Sequence, residues 1–166
     1  MSLREGIPQL VVFDEEYQKF RQVLRLVHAE SRARSVLLIG SSGQLIADWG
    51  DTSELDVDSF CSLTAANIAA TATLATLVGE DDFTLLFHQG KEDSIHISLI
   101  GEQVILAVIF GKEVPLGLVR LRVRKAGLII QKVVDLVLSR MKLEDRLDMN
   151  PMCEITEQDI DELFSF

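Results

Sequence analysis

Between Ser59 and Gly79 the chain carries SFCSLTAANIAATATLATLVG, a segment without a single charged residue and long enough for about six helical turns. A helix on the surface of one domain normally keeps a polar stripe toward water. Here one stripe is bulky (Phe60, Leu63, Leu74, Leu77) and another is small (Ala65, Ala69, Ala72, Thr76). The bulky stripe is expected to face the core. The small stripe is expected to let a second backbone come close. Such a segment must be covered on more than one side, so the chain is expected to pair surfaces, first with a copy of itself and then with a partner.

The flanking sequence supplies the rest of a single domain. From Asp14 to Arg32, apolar residues at Tyr17, Phe20, Leu24 and Val27 predict an amphipathic helix. Ser35–Ile39 and Gln44–Trp49 are short β-rich runs around Gly40-Ser41-Ser42-Gly43, which predicts a hairpin. That loop lacks the lysine and the following helix of a phosphate-binding P-loop. Asp58 or Ser59 is the expected N-cap of the apolar helix, and Gly79 its stop. Phe83–Gln89 and Ser94–Ile100 alternate, whereas Gln103–Phe110 is almost continuously apolar and belongs mid-sheet. The stretch LVRLRVR from Leu118 alternates like a strand. Yet Val119, Val123, Ala126, Ile130, Val133, Val137 and Met141 keep helical spacing, and Pro115 suits a first turn. The expected class is α+β: a five-stranded antiparallel sheet between helices, in the order α-ββ-α-βββ-α, over residues 10–142. Residues 143–166 read as an acidic tail, with Thr156 capping a short amphipathic helix, Glu157–Phe164.

Charge narrows the partners. The 166 residues carry a net charge of −10, which argues against nucleic acid, whose phosphates demand a basic footprint. Leu116–Lys142 nonetheless holds seven basic residues and one acid, and Glu144–Phe166 holds eight acids and one arginine. A basic stretch on an acidic protein faces either water, a partner, or its own tail. No signal-peptide pattern opens the chain, and the polar content of Ser59–Gly79 argues against a membrane span. A cytoplasmic location is expected.

Chemistry-bearing residues are sparse. Cys61 reads as a small buried hydrophobe and Cys153 as a bystander. His88 and His96 fall on neighbouring strands, and their sharing a face depends on register. Two imidazoles without a further ligand make a weak metal site. Glu80-Asp81-Asp82 reads as a solvated turn. Neither a nucleophile elbow nor HExxH is present. The expectation is a protein without its own active site, metal or cofactor.

SGQLI at Ser42–Ile46, SLTAANIAA at Ser62–Ala70, LVGEDDF at Leu77–Phe83, FHQGKEDS at Phe87–Ser94, PLGLVRLRVRKA at Pro115–Ala126 and EITEQDIDELFS at Glu154–Ser165 together resemble the Roadblock/dynein-light-chain family, in particular its bacterial members. The resemblance covers nearly the whole chain after residue 10. It implies a homodimer whose sheets join edge to edge and whose central helices lie side by side, with Ala66, Ala72 and Thr76 between them. It further implies that this helix layer receives a Ras-like small GTPase in its GTP form and stimulates hydrolysis, serving polarity or motility, with a cell pole as one possible site of concentration. On that match Ala65, Ala69 and Thr73 contact the GTPase, and Ile160, Leu163 and Phe164 of the tail form a second contact. Arg120, Arg122 and Arg124 are candidate electrostatic contacts. The family implies that the GTPase uses its own catalytic residues. Two alternatives stay open: a scaffold of the same fold that tethers partners without affecting hydrolysis, and a small-molecule sensor.

Overall fold

Tyr17, Phe20, Leu24 and Val27 line one side of a helix in the structure, a computed structural model that describes residues 9–81 and 83–149. This helix, α1, spans Asp14–Ser31 and buries Phe20, Val23, Leu24 and Val27. Asp14, Glu15 and Glu16 occupy its first turn, where the partial positive charge of the helix end favours them. It stops at Arg32, whose left-handed backbone (φ 55°) lets the Ala33 N–H donate back to the His28 carbonyl at 3.3 Å. Glycine is the residue that usually fills such a position.

The hairpin forms from β1 (Ser35–Gly40) and β2 (Leu45–Gly50), and the later strands are β3 (Leu85–Gln89), β4 (Asp93–Ile100) and β5 (Val104–Gly111). All neighbours pair antiparallel in the order β2-β1-β5-β4-β3. The continuously apolar β5 is therefore central, as expected. Because side chains alternate across a strand, β1 and β5 feed two separate cores. Val36, Leu38, Val104, Leu106, Val108 and Phe110 enter one, while Leu37, Ile39, Ile105, Ala107 and Ile109 enter the other.

Helices cover both faces. On the first lie α1 and α3, which spans Leu116–Met149. Helical spacing prevails over the alternation of LVRLRVR: Val119, Val123, Ala126, Ile130, Val133, Val134 and Val137 are all buried. α1 and α3 run antiparallel, pinned near both ends. Arg140 Nη1 donates to both oxygens of the buried Glu16 carboxylate, at 2.8 and 3.0 Å, and Arg122 Nη1 lies 2.9 Å from Glu30. A carboxylate as buried as Glu16 is tolerated only when so paired. α3 continues past Lys142 to Met149, carrying the helix into the segment assigned to the tail. Residues 150–166, with the expected short helix Glu157–Phe164, lie outside the described residues.

Candidate interaction surface

Among the described residues, the second face of the sheet carries one helix, α2 (Val57–Leu77). It begins earlier than the caps expected from sequence. Asp56 is the N-cap, accepting from the Ser59 N–H at 3.2 Å and the Ser59 hydroxyl at 2.7 Å. Asp56 stands three residues ahead of Ser59, the spacing at which a capping side chain reaches an unpaired N–H of the first turn. The Ser59 hydroxyl, then its N–H, hold the Asp56 carboxyl below the usual range. At the other end Gly79 adopts φ 78°. There the Gly79 N–H donates to the Thr76 carbonyl at 3.2 Å and the Glu80 N–H to the Ala75 carbonyl at 2.9 Å, a Schellman closure.

The stripe that α2 buries is not the expected one. Cys61, Thr64, Ile68, Thr71 and Ala75, at intervals of three and four, are the buried residues. Cys61 and Ile68 join Leu37, Ile39, Ile97, Ile105, Ala107 and Ile109 in the second core. The Thr71 hydroxyl donates to the Asn67 carbonyl at 2.8 Å, so it enters the interface satisfied. Burial, with smaller contributions from Asp58 and Asp48, pushes the Cys61 thiol up to about 11, the behaviour expected of an inert buried cysteine.

Of the bulky stripe only Phe60 packs against this core. Leu63, Leu74 and Leu77 are 70%, 56% and 76% exposed. That corrects the assignment of the bulky stripe to the core. The side chains that α2 packs on the sheet are small or medium in size, and with that row inward the leucines point outward.

Two contacts orient the exposed part. Asn67 Nδ2 lies 3.0 Å from His88 Nε2 on β3. Helical geometry puts Leu63 and Leu74 on the same flank as Asn67, so these leucines border the β3 side. On the opposite flank, Ala65 lies beside Gly43 of the β1–β2 loop. Ala65 and Ala72 are half-buried there, while Ala66, Ala69, Thr73 and Thr76 are exposed. Among the described residues β3 is an edge strand paired only with β4, and Leu85 on it is exposed. Leu63, Leu74 and Leu77 thus border an open strand edge that still offers backbone hydrogen-bonding groups. By length and mean hydropathy (1.4) α2 is apolar enough to cross a membrane, but here it forms one layer of a domain.

Other candidate residues separate. His96 pairs with Phe87 and His88 with Ile95 in the β3–β4 register, so the two imidazoles point to opposite faces. His96 is fully buried and neither ring nitrogen has a partner among the described residues. Burial, with Arg120 adding to it, pushes the His96 pKa down to about 4. Arg120, Arg122 and Arg124 lie on α3, across the sheet from Ala69 and Thr73. The structure does not bring the arginines and the α2 residues together. Ile160, Leu163 and Phe164 lie outside the described residues. Sequence reasoning missed Leu63, Leu74, Leu77 and Leu85 as surface residues. The signal was present in the regular three-and-four spacing of residues 61, 64, 68, 71 and 75, which bulk obscured.

The Roadblock/LC7 domain pattern matches residues 19–110, from the body of α1 to β5. The fold is similar to that of Myxococcus xanthus MglB, with a TM-score of 0.73 at 40% identity over 77% of this chain and 96% of that one. A gliding protein MglB from Thermus thermophilus superposes with a TM-score of 0.72 at 30% identity, covering 78% of this chain and 98% of that one. An MglB described as having a tetrameric arrangement gives a TM-score of 0.74 at 30% identity, over 79% and 98% of the two chains. No curated protein sequence matches.

Proposed function

The chain belongs to the Roadblock/LC7 family, and from that premise we propose that it is a homodimeric, cytoplasmic regulator of a Ras-like small GTPase of the MglA type. It binds the GTP form and stimulates hydrolysis by repositioning the GTPase's own catalytic residues, in the service of cell polarity or gliding motility. The exposed α2 layer beside the open β3 edge supports this most directly. Joining two β3 edges gives every backbone group on them a partner and sets two α2 helices side by side. Their leucines then meet, and the exposed Ala66 permits close approach, whereas Ala72 and Thr76, expected there from the resemblance, lie on the opposite flank and stay out of this contact. Ala65, Ala69 and Thr73 remain as a smooth platform for the GTPase, and Ile160, Leu163 and Phe164 add a second contact.

The composition of α2 supports regulation by positioning: it carries no charge after Asp58, so no side chain there can neutralise a transferring phosphoryl group. Binding energy that differs between two GTPase conformations is sufficient to accelerate hydrolysis. A ligand-sensing role has less support, because the sheet face under α2 is filled by Leu37, Ile39, Ile97, Ile105, Ala107 and Ile109.

Phosphate release from the GTP-loaded GTPase, with and without this protein, tests the proposal. Acceleration is expected. Binding without acceleration would leave only a scaffold. Ala69→Arg with Thr73→Arg should spare the fold and abolish binding, because both positions are exposed and two long cations cannot enter a close contact. Replacing Arg120, Arg122 and Arg124 by Ala should leave most stimulation intact. Loss of hydrolysis without loss of binding in that triple variant would overturn the positioning account.

A further inference from the structure

α3 has a second apolar stripe that nothing among the described residues covers. While Val119, Val123, Ala126, Ile130, Val134 and Val137 face the core, Leu121, Leu128, Ile129 and Leu136 are exposed on the other side, Leu128 by 69%. Lys125 and Lys132 are exposed between them, and neither makes an ion pair among the described residues. Asp135, at the rim, accepts from Gln131 Nε2 at 2.9 Å. This face lies across the sheet from α2 and has different chemistry: alternating leucine and lysine, where α2 offers leucine and alanine.

We infer that the outer face of α3 is a docking site for the chain's own C-terminal segment, Glu154–Phe166. Charge is the first reason. Residues 150–166 carry Glu154, Glu157, Asp159, Asp161 and Glu162 and no basic residue, and Ile160, Leu163 and Phe164 fall on one side at helical spacing. Acid flanking an apolar ridge complements Lys125 and Lys132 flanking one. A second copy of α3 would instead bring lysine toward lysine, which is repulsive. Reach is the second reason. From Met149 back to Leu128 is roughly 30 Å along a helix. Residues 150–156, extended, return about 23 Å of that, and Glu157–Phe164 as a helix spans about 12 Å more. On these lengths Ile160, Leu163 and Phe164 lie alongside Leu128 and Ile129. Docked there, the same three side chains are withheld from any other surface, so a partner that needs them must displace them. The docking itself does not depend on who that partner is.

The full chain with Cys153→Ser and Ser165→Cys, carrying a nitroxide on the new thiol, tests this by paramagnetic broadening of leucine and isoleucine methyls. Cys61, 1% exposed, stays unlabelled. Leu121, Leu128 and Ile129 should lose most of their intensity. They should recover it with Lys125→Glu and Lys132→Glu, and partly at high salt, because the pairs are exposed. Broadening that only decays with distance from Met149 would describe an undocked tether and overturn the inference. So would broadening centred on Leu74 and Leu77 of α2. The same α3 broadening when nitroxide and isotope sit on different chains would mean that the segment crosses to a second copy, and docking on its own helix would be wrong.

Discussion

Replacing His96 by Leu should make the protein more stable, and by an amount that grows as the pH falls. His96 is fully buried with two nitrogens that lack partners among the described residues. An unsatisfied buried polar group costs about 1–3 kcal/mol, so a leucine of similar volume should gain about 1 kcal/mol at pH 7. The pH dependence follows from the pKa, which burial lowers from 6.5 to about 4. The unfolded chain protonates His96 below pH 6.5, while the folded chain keeps it neutral until about pH 4. Over that window the unfolded state binds more protons, so the folded state of the parent loses stability with acid, at up to about 1.4 kcal/mol per pH unit. Between pH 7 and pH 5 the gap between His96→Leu and the parent should therefore widen by about 2 kcal/mol. Urea unfolding at matched protein concentration, at pH 7, 6 and 5, measures it. Other groups, such as Asp56, also lose their native-state advantage as the pH falls through their lowered pKa, but they are common to both proteins and cancel. A gap that stays constant with pH would show that His96 titrates alike in both states, and the account of it as a neutral, unpartnered core residue would fail.

Leu74→Lys with Leu85→Lys should leave a folded monomer by sedimentation, since both residues are exposed beside the open edge proposed for pairing; an unchanged dimer would put the interface elsewhere. Arg32→Gly should raise stability by about 1 kcal/mol, the cost of a non-glycine residue in the left-handed region, and a loss of stability on thermal unfolding would contradict it. Gly79→Ala should cost about 1 kcal/mol, because its φ is +78° but no atom lies within 4 Å of the added carbon. Gly50→Ala should cost clearly more, since its Cβ would meet the Arg34 carbonyl oxygen, the His28 ring and the Ser35 backbone; equal melting temperatures for the two variants would refute the distinction.

Element type and order were legible because their signals are local. The spacing of Tyr17, Phe20, Leu24 and Val27 is enough for α1, the unbroken apolar run of β5 requires two covered faces, and Gly79 ends α2 through a φ that few other residues accept. The face that α2 presents to the sheet was not legible, because a helix charged only at Asp58 in its first turn spreads its uncharged polar residues (Ser62, Thr64, Asn67, Thr71, Thr73 and Thr76) around all its sides. Bulk suggested that Leu63, Leu74 and Leu77 were core, whereas Cys61 and Ile68 are the α2 residues that pack with Leu37, Ile105 and Ala107. The separation of His88 from His96, and of the α3 arginines from Ala69 and Thr73, was likewise hidden. Each depends on strand register or on which layer a helix joins, and a one-residue slip reverses it.

By itself, the sequence determined that Ser59–Gly79 is helical and carries no charged stripe for water. Only the tertiary structure decided which side is left to be met. Burial is a property of the pair of surfaces rather than of either one, and the row that met the sheet, Cys61, Thr64, Ile68, Thr71 and Ala75, was neither the bulky stripe nor the small one.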